Sequence, residues 1–566
     1  MNKHNAVAVI LAAALFALAG CGGGGHSAAT TPPPAPTTPI SKYTVSGSSP
    51  TATITASTSN PYTNQVSVAS FSPTTKVDLV TIVKTSTPPA GQTFSESVST
   101  STTAQYPTYQ APVALERRPP ALSTAQNPLA GEDLVRSRER RLLASVSRPA
   151  ARSSFLALQQ AFVAAPSAYV AGDPATFNVF NFNTNANQLV NAHCQYVSSN
   201  AYVFVDDSIG QSTGANYNAI YDQNSQTLQA ISAAFDGIYT ADRATFGSEW
   251  TPGIDNDPKI LILISPAVNS NGNNGILGYF NSGDEYPTSS VALSNQHEMF
   301  YVVSRMQGDS TDIWADATTT KIKANQGYAI LAHEFQHMIN FNTKYGHNGA
   351  YDGVQEDTWL NEGLSMYAMQ VCGYGMPQGD ATTAGHVKNY LNYPETFSLT
   401  NWTSANYGMS YLFVLYLVEQ YGGGVGTVPS QTMLQAMESN ALVGIANVES
   451  QTGGTGTFGT VFKNWAMANL LDKTTNDAAY NYVTIDLHAS YGSCPNIDPT
   501  ICVALTGIWP FGPFSSYPLT SPYTQWTQFG WSALYQEFTG GTNDALNFSL
   551  TNSNTANNLE AMVIVQ

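Results

Sequence analysis

The chain has 566 residues, of which 43% are hydrophobic, so it can form a sizeable core and its length allows about two to four domains. A formal charge of −17 argues against nucleic acid as a partner, because binding requires Lys and Arg to neutralise phosphates, and against broad adhesion to anionic membranes. Charged residues make up only 10%, and neutral polar residues take their place, as is typical of extracellular proteins.

Residues 1–21 have the form of an export signal. The apolar run Ala6–Ala19 is too short to span a bilayer comfortably. It ends in Leu18–Cys21, read LAGC, which resembles the lipobox of bacterial lipoproteins, where the cysteine becomes the acylated N-terminus. The alternative is an ordinary signal peptide cut near Gly20. We therefore expect an exported lipoprotein on a membrane or cell surface, attached only through a lipid on Cys21, with release from the cell as the other outcome.

Three regions follow the leader. Residues 22–40 are rich in Gly, Pro and Thr and predict a tether. Residues 41–113 carry short strand-like runs and predict a small β-rich region. Residues 114–174 hold eight of the chain's ten arginines. Such a basic stretch in an acidic protein is a solvated linker, a pro-segment with a processing site, or an electrostatic latch on the acidic domain that follows.

Residues 175–478 change from strand-like to helical patterns and predict one domain. The near-continuous apolar run Lys259–Ile264 predicts a buried strand. The acidic turn before it, Asp255–Pro258, offers oxygen ligands that Ca²⁺ could use. It lacks the full loop spacing, so a plain turn is favoured and calcium has no further support.

The stretch Leu331–His337, read LAHEFQH, carries the strongest chemical signal. His333 and His337 are four apart, a spacing that stacks both imidazoles on one helix face, where they can hold one Zn²⁺. Glu334 lies beside the first histidine and can take a proton from a metal-bound water. The alternative is an amphipathic helix with two surface histidines.

A second apolar-periodic segment supplies a third ligand. It begins near Asp357, a predicted N-cap, and reads DTWLNEGLS. A glutamate in the middle of a buried face needs a partner, and a metal is such a partner. We expect Glu362 to complete a His₂Glu site with one open position, as in catalytic zinc sites. His347 is a weaker rival for the third ligand.

The pair HEFQH and WLNEG resembles the gluzincin metallopeptidases. The gap of 24 residues between His337 and Glu362, the wording around both motifs and the lipoprotein leader resemble the hyicolysin family of secreted bacterial zinc peptidases. The resemblance implies an α+β fold, with a gluzincin-type domain made of a mixed-sheet lobe and a helical lobe, flanked by β-rich segments. Met366 stands where thermolysin has an aspartate that supports a zinc histidine. Asp357, Asp352, Asn361 or a backbone carbonyl must take that role here.

The resemblance implies two further features of the site. A strand before the zinc helix borders the cleft in gluzincins and pairs with the substrate backbone, and His297–Val303 is the candidate. A tyrosine after the metal helices stabilises the oxyanion in aminopeptidase-like gluzincins. Tyr407 is the first candidate for that role and Tyr411 the second, with core aromatic residues as the alternative reading.

Residues 479–566 return to strand-like runs and predict a C-terminal β-rich region. Four cysteines remain besides Cys21, an even number that favours disulfides in an exported protein. Cys494 and Cys502 lie close enough in sequence to close a loop. Cys194 and Cys372 would then pair by elimination.

Together these features predict a monomeric zinc endopeptidase that binds one catalytic Zn²⁺ and acts on proteins or peptides, with Glu334 as general base. One alternative is a non-catalytic surface-anchored binding protein with a structural zinc site. A weaker alternative is an aminopeptidase, which would need an acidic motif for the substrate's free N-terminus. Gln296–Phe300 does not provide that motif intact.

Overall fold

A computed structural model of the chain describes most of the region from residue 130 to residue 487 and separate strands on either side of it. The described residues are 40–44, 53–54, 63–71, 77–84, 92–100, 130–161, 168–182, 184–214, 216–269, 276–304, 313–314, 322–392, 394–473, 475–487, 524–528, 530–538, 544–552 and 559–565. All of them belong to one unit, Pro36–Gln566, and the predicted leader lies outside the described residues.

The described residues contain strands from three sheets. In chain order they are β1 (Ile40–Thr44), β2 (Thr53–Ile54), β3 (Thr63–Phe71), β4 (Val77–Val83), β5 (Gln92–Thr100), β6 (Pro174–Asn181), β7 (Ala186–Val197), β8 (Ala201–Asp206), β9 (Ile260–Ile264), β10 (Gly278–Phe280), β11 (Met299–Val302), β12 (Thr524–Gln528), β13 (Ser532–Phe538), β14 (Asp544–Asn552) and β15 (Leu559–Val565).

The α-helices of the described residues lie between β5 and β12. They are α1 (Ala130–Ser145), α2 (Arg148–Ala161), α3 (Asp207–Gly210), α4 (Gln226–Phe246), α5 (Ile322–Asn340), α6 (Thr358–Val371), α7 (Ala381–Asn392), α8 (Tyr407–Tyr421), α9 (Val428–Ser439), α10 (Gly444–Thr452) and α11 (Phe458–Leu471). A π-helical turn, Phe341–Gly346, continues α5.

A mixed six-stranded sheet forms the first half of the central region, in the order β10-β11-β9-β8-β7-β6. The neighbours β8, β9 and β11 are parallel, and β6, β7 and β10 pair antiparallel. The predicted strand Lys259–Ile264 corresponds to β9, whose residues are all buried because the sheet is covered on both faces at its centre. We call β6–β11 with α4 the sheet lobe.

Helices α6–α11 form the helical lobe, and α5 lies between the two lobes. One face of α5 packs on the sheet lobe, where Phe335 contacts Phe235 of α4 with ring centroids 5.3 Å apart. Helix α8 is buried from Tyr407 to Glu419, which explains its nearly continuous apolar sequence. The predicted α+β class is confirmed by this arrangement.

The strands on the two sides of the central region share their sheets. One sheet has the order β13-β4-β15-β1-β2 and the other β12-β5-β14-β3, so both sheets combine N-terminal with C-terminal strands. In the first sheet β4 pairs with both β13 and β15. The β-rich stretches at the two ends of the sequence therefore complete each other's sheets.

The predicted disulfide between Cys194 and Cys372 is wrong, because both thiols are free. Cys194 is buried on β7, with its sulfur 3.6 Å from the Tyr196 carbonyl oxygen, and Cys372 donates to the Asp242 carboxylate at 3.1 Å. Elimination assumed that every cysteine needs a bonded partner, whereas local polar contacts satisfy each of these thiols. Cys494 and Cys502 lie outside the described residues.

The acidic turn before β9 uses its carboxylates within the protein. Asp257 accepts from the Tyr202 hydroxyl at 2.7 Å, and Asp255 pairs with the His297 ring at 2.5 Å. These contacts agree with a plain turn. Among the described helices, none has both the length and the apolar character needed to cross a membrane.

Candidate metal centre

Helix α5 presents the two motif histidines at its buried end. Their ring centroids lie 4.7 Å apart and their Nε2 atoms 3.0 Å apart. This closeness follows from the four-residue spacing, which places both side chains on one face. His333 is 8% exposed and His337 is 2% exposed, so two imidazole nitrogens converge in a site shielded from water.

Glu362 on α6 brings a carboxylate oxygen to the same point. Its Oε2 lies 3.4 Å from Nε2 of His333 and 3.5 Å from Nε2 of His337. Ligands about 2.0–2.1 Å from a tetrahedral zinc ion are separated by about 3.3–3.4 Å. The three separations therefore fit one zinc ion, and His333, His337 and Glu362 form a candidate metal site.

The electrostatics of the cluster favour the ligating forms of Glu362 and His337. Burial alone would raise the pKa of Glu362, but the Arg136 guanidinium and the two histidines hold it well below its usual value. Burial and the nearby Arg136 lower the pKa of His337 to about 3. A carboxylate and a neutral imidazole are the states that bind a metal.

The outer nitrogen of His337 faces polar atoms of α6. Nδ1 lies 3.1 Å from Oδ1 of Asn361 and 3.0 Å from Oγ of Ser365. The sequence offered four candidates to support a zinc histidine: Asp357, Asp352, Asn361 and a backbone carbonyl. Of these, Asn361 contacts the His337 ring. Asp352 pairs instead with His347, at 2.6 Å, so the rival third ligand is engaged outside the metal cluster. An amide here fixes the ring orientation without a carboxylate.

Glu334 is 2% exposed and points toward the sheet lobe. Its Oε2 accepts a hydrogen bond of 2.8 Å from the backbone N–H of Phe280 on β10. Helix α5 and strand β10 pack closely at Gly278. If this residue had a Cβ atom, that atom would lie 2.6 Å from the Ile330 side chain and 3.3 Å from Cγ of Glu334. The glycine therefore allows β10 to approach the helix that carries Glu334.

The strand predicted to border the cleft, His297–Val303, does not lie at the edge of the sheet. Residues Met299–Val302 form β11, which pairs with β9 on one side and with β10 on the other. The edge next to α5 is β10, Gly278–Phe280. The prediction of His297–Val303 is wrong because strand order within a sheet is set by tertiary pairing, which the apolar pattern of one strand does not report.

Tyr407, at the start of α8, lies near the first histidine, with ring centroids 6.0 Å apart. The second candidate, Tyr411, donates its hydroxyl to the Gln370 side chain in the core. A residue that the sequence did not indicate, His386 on α7, lies 5.1 Å from the Tyr407 ring. Burial and the nearby His333 lower the pKa of His386 to about 4. No motif surrounds it in the sequence.

The second unexpected residue is Arg136 on α1. Its guanidinium forms an ion pair with Oε1 of Glu362, the oxygen that does not face the histidines. Arg136 is 3% exposed and also contacts Oε2 of Glu139 at 3.2 Å. The signal in the sequence was the cluster of arginines in an acidic chain, which did not indicate which arginine reaches the site.

The chain is similar in sequence to a known metalloprotease. The chain is 29% identical over 262 residues to the neutral metalloprotease ShpI of Staphylococcus hyicus. The aligned region is 44% of this chain and 52% of that protein, so the chain spans about half the length of the relative it matches. No family model matches the chain. The likeness and the His-His-Glu cluster are separate observations that both favour a metalloprotease.

Proposed function

We propose that the protein is an exported zinc endopeptidase of the gluzincin type, similar to the hyicolysin family, that cleaves proteins or peptides. The observation that carries this proposal is the convergence of His333 and His337 on α5 with Glu362 on α6, with ligand atoms 3.0–3.5 Å apart. Helix α5 also carries Glu334. Its likeness to a neutral metalloprotease supports the same activity.

The proposed reaction assigns a separate task to each residue. His333, His337 and Glu362 would hold one zinc ion, which, when bound, would polarise the scissile carbonyl and lower the pKa of a water toward about 7. Glu334 takes the proton from that water and passes it to the leaving amine. Tyr407 donates its hydroxyl to the oxyanion, for which its position beside His333 is suitable.

The free edge of β10 is the proposed binding site for the substrate backbone. Among the described strands β10 pairs with β11 alone, and the N–H of Phe280 points to Glu334. An extended peptide added to this edge would therefore run past the proposed general base. Such backbone pairing suits an endopeptidase, because it does not require a free substrate N-terminus.

Burial of the cluster favours one rival, a protein with a structural zinc site. Glu362 is 0% exposed, as expected for a closed site. A structural site needs its three ligands but not Glu334. The Glu334→Gln variant therefore separates the two functions.

We expect Glu334→Gln to retain one zinc per chain and to lose about 10²–10⁴-fold in casein cleavage, because the amide cannot accept the proton. The matched control is Glu449→Gln, since Glu449 lies away from the metal site and its Oε1 accepts from Gly456 and Phe458, as an amide oxygen also can. Zinc content is measured by mass spectrometry and cleavage by fluorescence. Cleavage by Glu334→Gln at the parental rate would contradict the mechanism.

The leader and domain limits are part of the proposal. We propose acylation at Cys21, residues 22–40 as the tether, 175–478 as the catalytic domain and 41–113 with 479–566 as its β-rich flanks. Mass spectrometry of the mature N-terminus tests the anchor, and a Cys21 without lipid would contradict it.

A further inference from the structure

Helices α1 and α2, residues 130–161, form a segment that we call the strap. It carries six arginines and three acidic residues, a net charge of +3 in a chain of −17. The sequence left open whether this stretch is a linker, a pro-segment or a latch. Its contacts in the structure distinguish these interpretations.

The strap is fixed to the sheet lobe by polar and apolar contacts. Arg138 donates to Oδ1 of Asn281 at 3.0 Å and lies 4.2 Å above the Phe180 ring. Leu142 packs against Gly283 so closely that a Cβ atom at Gly283 would lie 2.9 Å from the leucine side chain. A solvated linker would not make such close contacts.

The same helix is also fixed to the helical lobe. Asp133 accepts from the backbone N–H of Ser404 at 2.8 Å and from its hydroxyl at 3.1 Å. Arg140 donates to the hydroxyl of Thr358, the first residue of α6, at 2.9 Å. Helix α1 therefore joins the two lobes that border the metal site.

Arg136 lies between these two sets of contacts and reaches the metal cluster itself. It pairs with Oε1 of Glu362, so that Oε2 remains directed at the histidines. With the strap in this position Glu334 and His337 are each 2% exposed and Glu362 is 0% exposed. The side chains proposed to bind zinc and to act on a substrate are thus buried while the strap occupies this position.

We propose that the strap is an intramolecular inhibitor: α1 closes the metal site by joining the lobes, Arg136 holds Glu362 in place, and the strap must leave before a polypeptide can enter. This inference rests on the proposed peptidase function and adds its regulation. It explains how a site with catalytic ligands has the burial of a structural one. Arg140 and Arg141 are exposed on the strap and are candidate sites for a trypsin-like protease.

The test compares the full chain with three variants that differ in one arginine of the strap. Arg138→Ala removes the hydrogen bond to Asn281 of the sheet lobe, which involves none of the proposed metal ligands. Arg136→Ala removes the ion pair with Glu362. Arg141→Ala is the control, because Arg141 is exposed on the same helix. Each protein is loaded with zinc, and its unfolding midpoint is measured to identify variants that fail to fold.

Two quantities are measured on each protein: the rate at which a chelator removes zinc, and kcat/KM for a quenched peptide. We expect Arg138→Ala to raise both about fivefold, because one charge-assisted hydrogen bond that holds the closed state is lost. Arg136→Ala should accelerate zinc removal further, since Glu362 loses its partner. Arg141→Ala should match the parent. A peptide of residues 130–145 should inhibit Arg138→Ala when added in trans.

The outcomes separate the strap from the peptidase. Equal zinc removal and equal cleavage in the parent and in Arg138→Ala would overturn the strap and leave the peptidase standing. Faster zinc removal with no cleavage by any form would support the strap as the cover of the site and overturn the peptidase. A second route to the open form is limited digestion with trypsin, stopped by a serine-protease inhibitor, which should raise cleavage as the strap is cut.

Discussion

Two buried glutamates contact neighbouring faces of helix α5, and their environments differ. Glu362 faces His333 and His337 and pairs with Arg136. Glu438 accepts from the side-chain amides of Gln336 at 2.8 Å and Asn340 at 2.6 Å. Both glutamates are 0% exposed.

The protonation of the two carboxyl groups follows from these partners. The cation and the imidazoles beside Glu362 hold its pKa well below the usual value although burial acts in the other direction. Burial raises the pKa of Glu438 to about 8, because the amides that bind it carry no charge. The same residue type is thus a candidate metal ligand on one face of the helix and a structural group on the next. Partners rather than burial decide which role a glutamate has.

The largest expected effect comes from removing the charge on the metal face. Glu362→Gln should weaken zinc affinity by more than about 100-fold, since even losing a residue that only supports a ligand costs about 10–100-fold. Competitive titration with a zinc indicator measures it. The control is Glu438→Gln on the other face, which should still bind one zinc per chain. Equal zinc affinity in Glu362→Gln and Glu438→Gln would contradict the different roles assigned to the two glutamates.

Tyr407→Phe should lower kcat about 10²-fold with zinc content unchanged, because it removes a proposed donor to the oxyanion but no ligand. Tyr411→Phe is the matched control, since its hydroxyl donates to Gln370 in the core. Steady-state kinetics on a peptide substrate measures both. A parental kcat in Tyr407→Phe would show that this tyrosine is a core residue only.

Asn361→Ala should weaken zinc affinity about tenfold, because His337 loses the amide oxygen at 3.1 Å that orients its ring. The effect is smaller than that of a ligand, since Ser365 still contacts the same nitrogen at 3.0 Å. The zinc titration used for Glu362→Gln measures it. If Asn361→Ala bound zinc as the parent does, Ser365 alone would orient the ring.

The last prediction concerns stability and not zinc binding or catalysis, and it tests the structural face. The pKa of Glu438 rises from 4.5 in the unfolded chain to about 8 in the folded one, so folding takes up a proton between these values. The free energy of unfolding should therefore fall as pH rises from about 5 to about 8, by up to about 1.4 kcal/mol per pH unit. Urea unfolding of the zinc-free protein over this range measures the slope. Glu438→Gln should have a shallower slope, and parallel curves would contradict the assignment.

The two faces also differ in what the sequence could predict. The spacing of His333 and His337 is local helix geometry, and the WLNEG stretch directed attention to Glu362. Gln336 and Glu438 belong to the same helix contact, but no pattern joins them, because their pairing depends on how α9 packs. Arg136 was one of eight arginines in its region, and only tertiary structure brings it to Glu362.

The same limit accounts for the misplaced features. Both β10 and β11 are apolar, and nothing in their sequences indicates which of them lies at the edge of the sheet. The flanking strands were read as two regions, whereas pairing between β4 and β15 spans nearly the whole chain. Class and local motifs can be read from sequence, and contacts between distant segments cannot.

The central claim is that His333, His337 and Glu362 bind one zinc ion while Arg136 occupies the other carboxylate oxygen of Glu362. The most direct measurement is a crystal structure of the zinc-loaded full chain with anomalous scattering at the zinc edge. The account predicts a single strong peak about 2.0–2.1 Å from Nε2 of each histidine and from Oε2 of Glu362. A peak bound elsewhere, or Glu362 turned away from the histidines with no other oxygen donor in its place, would contradict it.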